Sequence, residues 1–298
     1  MLSAVIFAIV EDYLSRLLLD MVEKGDLKTI KAGRGIIVPS HLLFADDIVI
    51  FTQGDRRNIS TLKKALQHYD KVSGQEINWD KSFIYFGKNI PASRKVRLTN
   101  DFGLKEGTLP FIYLGVPLFW GKPRASHFSN TMDQVRRTLT SWKGKSLSMA
   151  GRICLVKHVV ISKLIFSFMV YLWPISLLKK LNTMLKNFVW SGSILEKRII
   201  TAPWKKCCLP YKFGGLGIKN MEFFNQSLQA NFLWKLINNN STEPRLLKSR
   251  ILDRIFSINK GFIESSIWPR LKLVFQKIIS HSQWIASSLS SLKFWYDT

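Results

Sequence analysis

Cysteine is scarce in this sequence. The three that occur, Cys154, Cys207 and Cys208, provide neither a disulfide framework nor a CxxC metal knuckle, which is typical of a protein from a reducing compartment. Cys154 and His158 are four residues apart and could share a helix face, but no second pair completes a tetrahedral zinc site. We therefore interpret both as packing residues.

A secretory leader and a membrane span are also missing from the sequence pattern. Residues 1–10 are apolar, but they lack a basic leader and run directly into Glu11 and Asp12. The apolar run at 164–175 is shorter than the roughly 20 residues that a transmembrane helix needs. We expect an intracellular protein, nuclear or cytoplasmic, that is not secreted and does not enter a membrane.

Acidic residues are few relative to basic ones. The 298-residue chain has 20 Asp and Glu against 44 Lys and Arg, a formal charge of +24. This charge favours a polyanionic partner, and nucleic acid is the leading candidate because dispersed cations hold a phosphate backbone by counterion release. An anionic membrane surface is the weaker alternative, because the basic residues are not clustered beside an apolar span. The hydrophobic content of 47% permits one large or two modest domains.

Helical spacing of apolar residues opens the chain. It predicts a first helix over residues 4–22 and a second over 59–72. Asn58 or Ser60 is the expected N-cap of the second helix, and Gly74 is its expected end. With the strands described next, these helices predict an α+β fold to about residue 120.

Two short hairpins and one strand accompany these helices. At 42–51, Asp46 and Asp47 interrupt two apolar runs, which predicts strand, turn and strand, with the strands buried against helices. Further strand patterns lie at 82–86 and, as a hairpin, at 111–118. Adjacent carboxylates on a hairpin can hold magnesium for phosphoryl or nucleotidyl transfer, but Asp is also common in solvated turns. On spacing alone both interpretations stay open.

Beyond residue 120 the spacing becomes helical. Helices are expected near 132–142, 150–171 and 178–188. Basic side chains accompany this region, among them Lys143, Lys145, Arg152 and Lys157. They could clamp a nucleic-acid duplex or simply form a solvated face. The glycine-rich run at 214–217 lacks the Lys-Ser or Lys-Thr of a phosphate loop and is predicted to be a turn.

Several boxes of this sequence resemble one family. The stretch 41–47, His-Leu-Leu-Phe-Ala-Asp-Asp, resembles the FADD box of non-LTR (LINE-type) retrotransposon reverse transcriptases, particularly those of plants. In the family's order, Ser73–Ser82 resembles SG-x-x-x-N-x-x-KS and Tyr113–Leu118 resembles YLGxPL. Later segments are similar to W-x-x-K-x-LS-x-x-GR at 142–152, FLW-x-G at 188–192 and W-x-x-x-C-x-P-x-x-x-GGLGI at 204–218.

The resemblance implies a partial polymerase palm, built from an antiparallel hairpin with helices. An all-α thumb bundle and a mainly helical C-terminal region would follow. The implied segments are the palm at 1–120, the thumb at 121–190, a post-thumb connection at 191–240 and a helical tail at 241–298. Within the palm, Asn78 and Ser82 would close the corner between helix and strand.

The resemblance also implies roles for individual residues. Asp46 and Asp47 would be catalytic ligands of Mg²⁺, or of Mn²⁺, and Lys81 would assist the departing pyrophosphate. Tyr113 and Gly115 would form the grip under the primer end. The thumb would contact nucleic acid through Lys143, Lys145, Arg152 and Lys157. The implied partners are an RNA template, a DNA primer and their RNA–DNA duplex.

Two departures from the family affect the expected activity. Family members have a further catalytic aspartate on a strand upstream of the FADD box and a glutamine-glycine box, and neither occurs here. Two-metal chemistry needs that ligand, so we predict an N-terminally truncated fragment that binds a cation weakly and is inactive alone. The alternatives are a non-catalytic nucleic-acid-binding remnant or a gene-model fragment without function. Ribonuclease H is not expected, because Asp253, Glu264 and Asp297 lack strand pattern and clustering.

Overall fold

The structure is a computed structural model that describes residues 2–32, 36–142, 144–198, 202–238 and 266–282. The described residues up to Thr108 form one compact unit, and those from Leu109 onward form a second. Helices with short pairs of strands make up the fold, in agreement with the α+β class. The division lies before residue 120, so the predicted hairpin at 111–118 belongs to the second unit.

The first unit combines helices with paired short strands. Its helices are α1 (Leu2–Glu23), α2 (Arg56–Ser73) and α3 (Ala92–Phe102). Its strand pairs are β1 (Lys31–Ala32) with β2 (Ile36–Ile37), β3 (His41–Phe44) with β4 (Asp47–Ile50), and β5 (Phe83–Ile84) with β6 (Lys105–Glu106). The first two pairs are antiparallel, whereas β5 and β6 run parallel with α3 as the crossover between them.

Side-chain chemistry explains the ends of α2. The Asp55 Oδ1 accepts a hydrogen bond from the Asn58 backbone N–H at 2.9 Å, so Asp55 is the N-cap. The predicted cap at Asn58 or Ser60 is therefore wrong. Gly74 ends the helix as predicted, with a φ of +69° and an N–H that donates to Asp70 O at 3.0 Å.

The core of the first unit is an apolar cluster between its helices. Its buried members are Leu14, Leu18, Leu27, Ile59, Leu62, Leu66, Tyr69, Leu98 and Phe102. The helix predicted at 4–22 is confirmed as α1. Its N-terminal turns are not part of the core, because Val5, Ile6 and Ile9 are each more than half exposed.

The second unit is mainly helical. It begins with the antiparallel pair β7 (Phe111–Tyr113) and β8 (Val116–Leu118). Its helices are α4 (Ser129–Ser141), α5 (Met149–Leu155), α6 (Ile161–Val170), α7 (Ile175–Ser191), α8 (Trp204–Cys207), α9 (Met221–Asn238) and α10 (Trp268–His281). A π-helix, Val156–Val160, joins α5 directly to α6, so the helix predicted at 150–171 forms with an altered turn in its middle.

Aromatic stacking and a polar clamp organise the core of the second unit. Phe128 stacks on Trp173 with ring centroids 4.4 Å apart, and Phe168 meets Trp173 edge-on at 5.1 Å. The α9 side chains of Asn225 and Gln229 donate to Phe168 O at 3.0 and 2.7 Å. These amides satisfy carbonyls at the C-terminal end of α6, which have no partner within their own helix.

One described segment, Met149–Val170, is long and apolar enough to cross a membrane by length and composition. The same segment lies in the core of the second unit, where Leu155, Val160, Leu164 and Phe168 are buried. An apolar core helix of a globular protein passes the same test. The segment alone therefore does not indicate a membrane protein.

Candidate metal site and nucleic-acid interface

Asp46 and Asp47 lie at the tip of the β3–β4 hairpin. The strands pair up to Phe44↔Asp47, so a two-residue connection, Ala45–Asp46, closes the hairpin. Ala45 has a φ of +49°, and a positive φ at the first connecting residue alone is typical of a type II′ turn. Holding a non-glycine residue in this way costs about 1–3 kcal/mol, which the surrounding structure must offset.

The β3–β4 hairpin is buried on one face only. Leu43, Ile48 and Ile50 pack against the core of the first unit. On the other face Leu42 is 41% and Phe44 is 60% exposed. The prediction that both strands are buried is therefore wrong, because a two-stranded sheet with one covered face alternates between core and solvent.

His41 attaches the hairpin to α1. Its Nε2 is 2.8 Å from Ser15 Oγ on α1, and its Nδ1 is 2.9 Å from Ser40 Oγ. Burial lowers the pKa of His41, which favours the neutral ring with one donor and one acceptor nitrogen. The two hydroxyl groups therefore fix the orientation of the ring at the base of the hairpin.

The described residues supply two exposed carboxylates at this tip. No group of three or more His, Cys, Asp or Glu in the described ranges is placed to hold a metal ion. Glu11, an earlier carboxylate on α1, instead accepts a hydrogen bond from Tyr69 Oη at 3.2 Å, and burial raises the pKa of Glu11. A two-metal centre needs enough ligands to hold two ions about 3.5–4 Å apart. Asp46 and Asp47 without a third ligand in the described ranges do not fit such a centre.

Lys81 lies on an exposed corner of the first unit. It ends the 3-10 turn Trp79–Lys81, and its backbone N–H donates to Asn78 Oδ1 at 3.1 Å. Ser82 Oγ donates to Asn78 O at 2.8 Å. Asn78 and Ser82 thus form the predicted structural corner, whereas the role of Lys81 near a pyrophosphate stays a prediction.

Tyr113 and Gly115 lie on the β7–β8 hairpin of the second unit. Leu114 and Gly115 connect its strands with φ values of +49° and +78°, which is typical of a type I′ turn. The hairpin is tied to the core, because Tyr171 Oη donates to Pro117 O at 2.9 Å. A Cβ on Gly115 would meet no atom within 4 Å, so the positive φ, and not a lack of space, explains why glycine occurs at this position. The primer-grip role stays a prediction.

The predicted nucleic-acid contacts differ in their surroundings. Lys143 lies outside the described residues. Lys145 is exposed and forms an ion pair with Glu196, with Nζ 2.5 Å from Oε1. A screened surface pair of this kind contributes little to stability, so Lys145 can exchange its partner for a phosphate at small cost.

Arg152 has a structural task that the sequence does not reveal. Its Nε donates to Gly144 O at 2.7 Å, and its Nη1 donates to Val189 O at 3.2 Å. Gly144 and Gly192 meet there backbone to backbone, and a Cβ on Gly192 would lie 2.6 Å from Gly144 O. We call this contact the glycine joint: Gly144, Arg152, Val189 and Gly192. The half-buried Arg152 is therefore a structural tie here, and its predicted contact with nucleic acid is untested.

Lys157 belongs to a basic and aromatic surface that the sequence pattern does not predict. Its Nζ donates to Tyr211 Oη at 2.7 Å and lies 4.2 Å from the centre of that ring. Tyr211 and Phe213 are 70% and 64% exposed. The available signal was the position of both rings between Pro210 and the glycine run, because such turns lie at the surface.

The cysteines do not form a zinc site with their neighbours in the described part of the chain. Cys154 and His158 are both exposed, so the prediction that they are packing residues is wrong. They lie on the solvent side of the Met149–Val170 segment, away from its core-facing residues. Burial raises the pKa of the Cys208 thiol to about 11, with a further contribution from Cys207, so the Cys208 thiol stays protonated at neutral pH.

Comparison with known proteins gives partial matches. No protein-family profile matches the chain. It is 29% identical over 61% of its length to an Arabidopsis thaliana protein provisionally named a ribonuclease H protein, of which it covers 30%. It is 28% identical over 38% of its length to an uncharacterised mitochondrial protein of Arabidopsis thaliana, covering 71% of it. A 149 kDa protein of transposon TX1 from Xenopus laevis is 26% identical over 59% of the chain, which covers 13% of that protein.

These matches restrict the possible origin of the chain. The chain spans less than a third of the first of these relatives and a smaller part of the transposon protein. The chain thus matches only a part of two of these relatives, one of which is a transposon product. The chain is accordingly similar to a transposon-encoded protein.

Proposed function

We propose that this chain is a reverse transcriptase-like part of a non-LTR retrotransposon protein that binds nucleic acid but does not polymerise DNA by itself. The observation that carries the proposal is the tip of the β3–β4 hairpin, where Asp46 ends the two-residue connection and Asp47 begins β4, so that two adjacent carboxylates are exposed together. Similarity to the TX1 transposon protein supports a retroelement origin. The order of the later boxes supports the reverse transcriptase type.

Nucleic-acid binding follows from the charge of the chain. The formal charge of +24 requires counterions, and a phosphate backbone that replaces them gains their entropy of release. Lys145 and Lys157 lie on the surface of the helical unit with partners that a phosphate can displace. We expect the ligand to be an RNA template, a DNA primer or their duplex, with affinity that falls steeply as salt rises.

Catalysis is not part of the proposal for the isolated chain. Magnesium would supply charge stabilisation for nucleotidyl transfer, but the described residues contribute two carboxylates and no third ligand beside them. Asp46 and Asp47 can attract a cation weakly, and Ser15 and Ser40 hold the hairpin in place through His41. The name of the first relative mentions ribonuclease H, an activity that likewise requires several clustered carboxylates, so we do not propose it here.

Primer extension tests the absence of polymerase activity. The full chain is incubated with an oligonucleotide-primed RNA, deoxynucleotides and either Mg²⁺ or Mn²⁺, and product length is measured on a denaturing gel. We expect no extension above that of Asp46→Asn. Robust incorporation that Asp46→Asn abolishes would contradict the proposal and assign a complete catalytic centre to the chain.

A second candidate is a remnant in which the hairpin has lost any affinity for cations. The exposed position of both aspartates without a third ligand in the described ranges favours it. Binding of Mn²⁺, followed by electron paramagnetic resonance, separates the two candidates. A weak site that Asp46→Asn with Asp47→Asn removes, and Asp12→Asn with Asp20→Asn on exposed α1 retains, supports the reverse transcriptase-like proposal. Equal binding by both double variants supports the remnant.

A further inference from the structure

A closed loop in the second unit displays aromatic and basic side chains. We call it the Tyr211 loop, residues Cys207–Gly217. Its two arms are joined by backbone hydrogen bonds, from Leu216 N to Cys207 O and from Gly217 N to Leu209 O, each 2.9 Å long. Cys207 is buried at its base, so the loop is attached to the core and its tip faces solvent.

Glycines at the tip of the loop allow its tight backbone turn. Gly214 follows the 3-10 turn Tyr211–Phe213 with a φ of +75°, a conformation that side chains disfavour. A Cβ on Gly215 would overlap the backbone of Leu209. The Gly215 N–H donates to Pro210 O at 3.2 Å across the turn. The tip is therefore held in one conformation before any ligand arrives, which reduces the entropy cost of binding.

The tip presents two rings with cations beside them. Tyr211 is 70% exposed and Phe213 is 64% exposed, well above the exposure of a packed aromatic residue. Lys157 Nζ lies over the Tyr211 ring at 4.2 Å, and Lys212 Nζ lies over the Phe213 ring at 4.9 Å. Each ring thus combines a stacking surface with a nearby positive charge.

The surrounding sequence carries charge of a single sign. Between Glu196 and Glu222 there is no acidic residue, and the basic residues in this interval are Lys197, Arg198, Lys205, Lys206, Lys212 and Lys219. A second copy of the same loop would bring these like charges together, which is unfavourable. A polyanion relieves the repulsion, and exposed rings beside lysines are the arrangement by which proteins hold single-stranded nucleic acid.

We propose that the Tyr211 loop binds single-stranded nucleic acid, with Tyr211 and Phe213 stacking on bases while Lys157 and Lys212 contact phosphates. The inference rests on the proposed function for the class of ligand and adds the site and the strandedness. Stacking on the free ring faces leaves the fold unchanged. Lys157 would turn from the Tyr211 hydroxyl toward a phosphate when the strand binds.

Binding of a fluorescein-labelled oligo(dT) strand to the full chain, followed by anisotropy without divalent cations, tests the proposal. We expect Tyr211→Ala with Phe213→Ala to weaken binding by at least about 30-fold, the loss expected when two stacked bases lose their rings. Phe223→Ala is the matched control, because Phe223 is 67% exposed on α9 of the same unit. We expect the control to bind like the unchanged chain.

Two further variants separate stacking from charge. Tyr211→Phe keeps the ring and removes the hydroxyl that Lys157 contacts, so it should bind within about twofold of the unchanged chain. Lys212→Gln should lower the slope of log affinity against log salt by about 0.7, the contribution of one phosphate contact on a single strand. The double alanine variant should leave that slope unchanged. Circular dichroism verifies that all variants are folded.

The outcomes identify which proposal fails. If the unchanged chain binds neither oligo(dT) nor a duplex, the nucleic-acid proposal and the loop proposal fall together. If it binds oligo(dT) and the double alanine variant binds equally well, only the loop proposal is wrong. Binding to phosphatidylserine vesicles that needs both rings, with oligo(dT) binding that does not, would assign the loop to a membrane surface instead.

Discussion

The two hairpins with two-residue connections show how similar turns serve different purposes. Ala45 in β3–β4 and Leu114 in β7–β8 occupy the same position with the same φ of +49°. The second connecting residue is Asp46 in one and Gly115, at φ +78°, in the other. The first turn therefore ends in a carboxylate pair, whereas the second continues into a strand whose first residue, Val116, is buried.

Their attachment to the rest of the chain differs as well. The β7–β8 hairpin is held through Val116 of β8, which is buried in the core of the second unit, and through the Tyr171 hydroxyl, which donates to Pro117 O. The β3–β4 hairpin is held by one apolar face and by the His41 ring, whose nitrogens contact the hydroxyl groups of Ser15 and Ser40. Both hairpins keep a tip and part of one face in solvent, since Ile112 of β7 is 54% exposed. They differ in what the tip presents, which is two carboxylates in β3–β4 and a glycine in β7–β8.

Removal of the aromatic anchor should produce the largest difference between the hairpins. Tyr171 is 1% exposed and stacks near Phe119 and Phe128. We expect Tyr171→Ala to lower the free energy of unfolding by about 3–5 kcal/mol, from the lost burial and the cavity. Phe44→Ala, on the exposed face of β3, should change it by less than about 0.5 kcal/mol. Urea unfolding followed by circular dichroism measures both, and equal losses would contradict the contrast.

Substitution of the second connecting residue in β7–β8 should have a smaller effect. Gly115→Ala meets no neighbouring atom within 4 Å but must keep a φ of +78°. We expect a loss of about 1–2 kcal/mol, the cost of the left-handed region for a residue with a Cβ. Gly87→Ala also enters open space but without a positive φ, and should be nearly neutral in the same urea experiment. A neutral Gly115→Ala would argue against the type I′ assignment.

Relief of strain at the carboxylate tip should stabilise the chain slightly. In Ala45→Gly the φ of +49° becomes unstrained, and we expect a gain of about 1 kcal/mol after the larger chain entropy of glycine is subtracted. Thermal unfolding measures this gain. A loss of stability would mean that the Ala45 methyl group makes a contact worth more than the strain.

The smallest expected effect is a pH dependence of stability that arises at the β3–β4 hairpin through His41. Burial lowers the pKa of His41 below its usual 6.5, so the unfolded chain binds the proton more readily than the folded chain. The stabilisation is complete above pH 6.5 and is lost as the pH falls toward the lower folded value. His41→Asn should therefore reduce the difference in unfolding free energy between pH 7.5 and 5.5. Part of the pH-dependent difference should remain in this variant, because burial also lowers the pKa of His127. An unchanged pH profile in His41→Asn would contradict the neutral anchoring ring.

Local pattern predicts much of this fold. Apolar spacing places α1, α2 and the helices α4 to α7. Gly74 marks the end of α2, because glycine readily adopts the left-handed conformation there. The two hairpins follow from short apolar runs around a polar or glycine-containing connection. The N-cap at Asp55 is missed, because a capping side chain can precede the first apolar residue by several positions.

Features that depend on tertiary contacts are not visible in the pattern. The π-helix at Val156–Val160 and the one-sided burial of β3–β4 both depend on which neighbours pack against them. Arg152 has the same charge whether it faces solvent or ties two backbone carbonyls, so its sequence position cannot distinguish the two. At the candidate site, the adjacency of Asp46 and Asp47 is predictable, but the surface role of Tyr211 and Phe213 requires the exposure of their rings.

The glycine joint links two boxes that are distant in sequence. Gly144 and Arg152 belong to the box at 142–152, whereas Val189 and Gly192 belong to the box at 188–192. Because a side chain at either glycine would collide with the opposite backbone, neither box can change independently of the other. A chimaera that receives either box from a relative is therefore expected to fold only if glycine is kept at both positions.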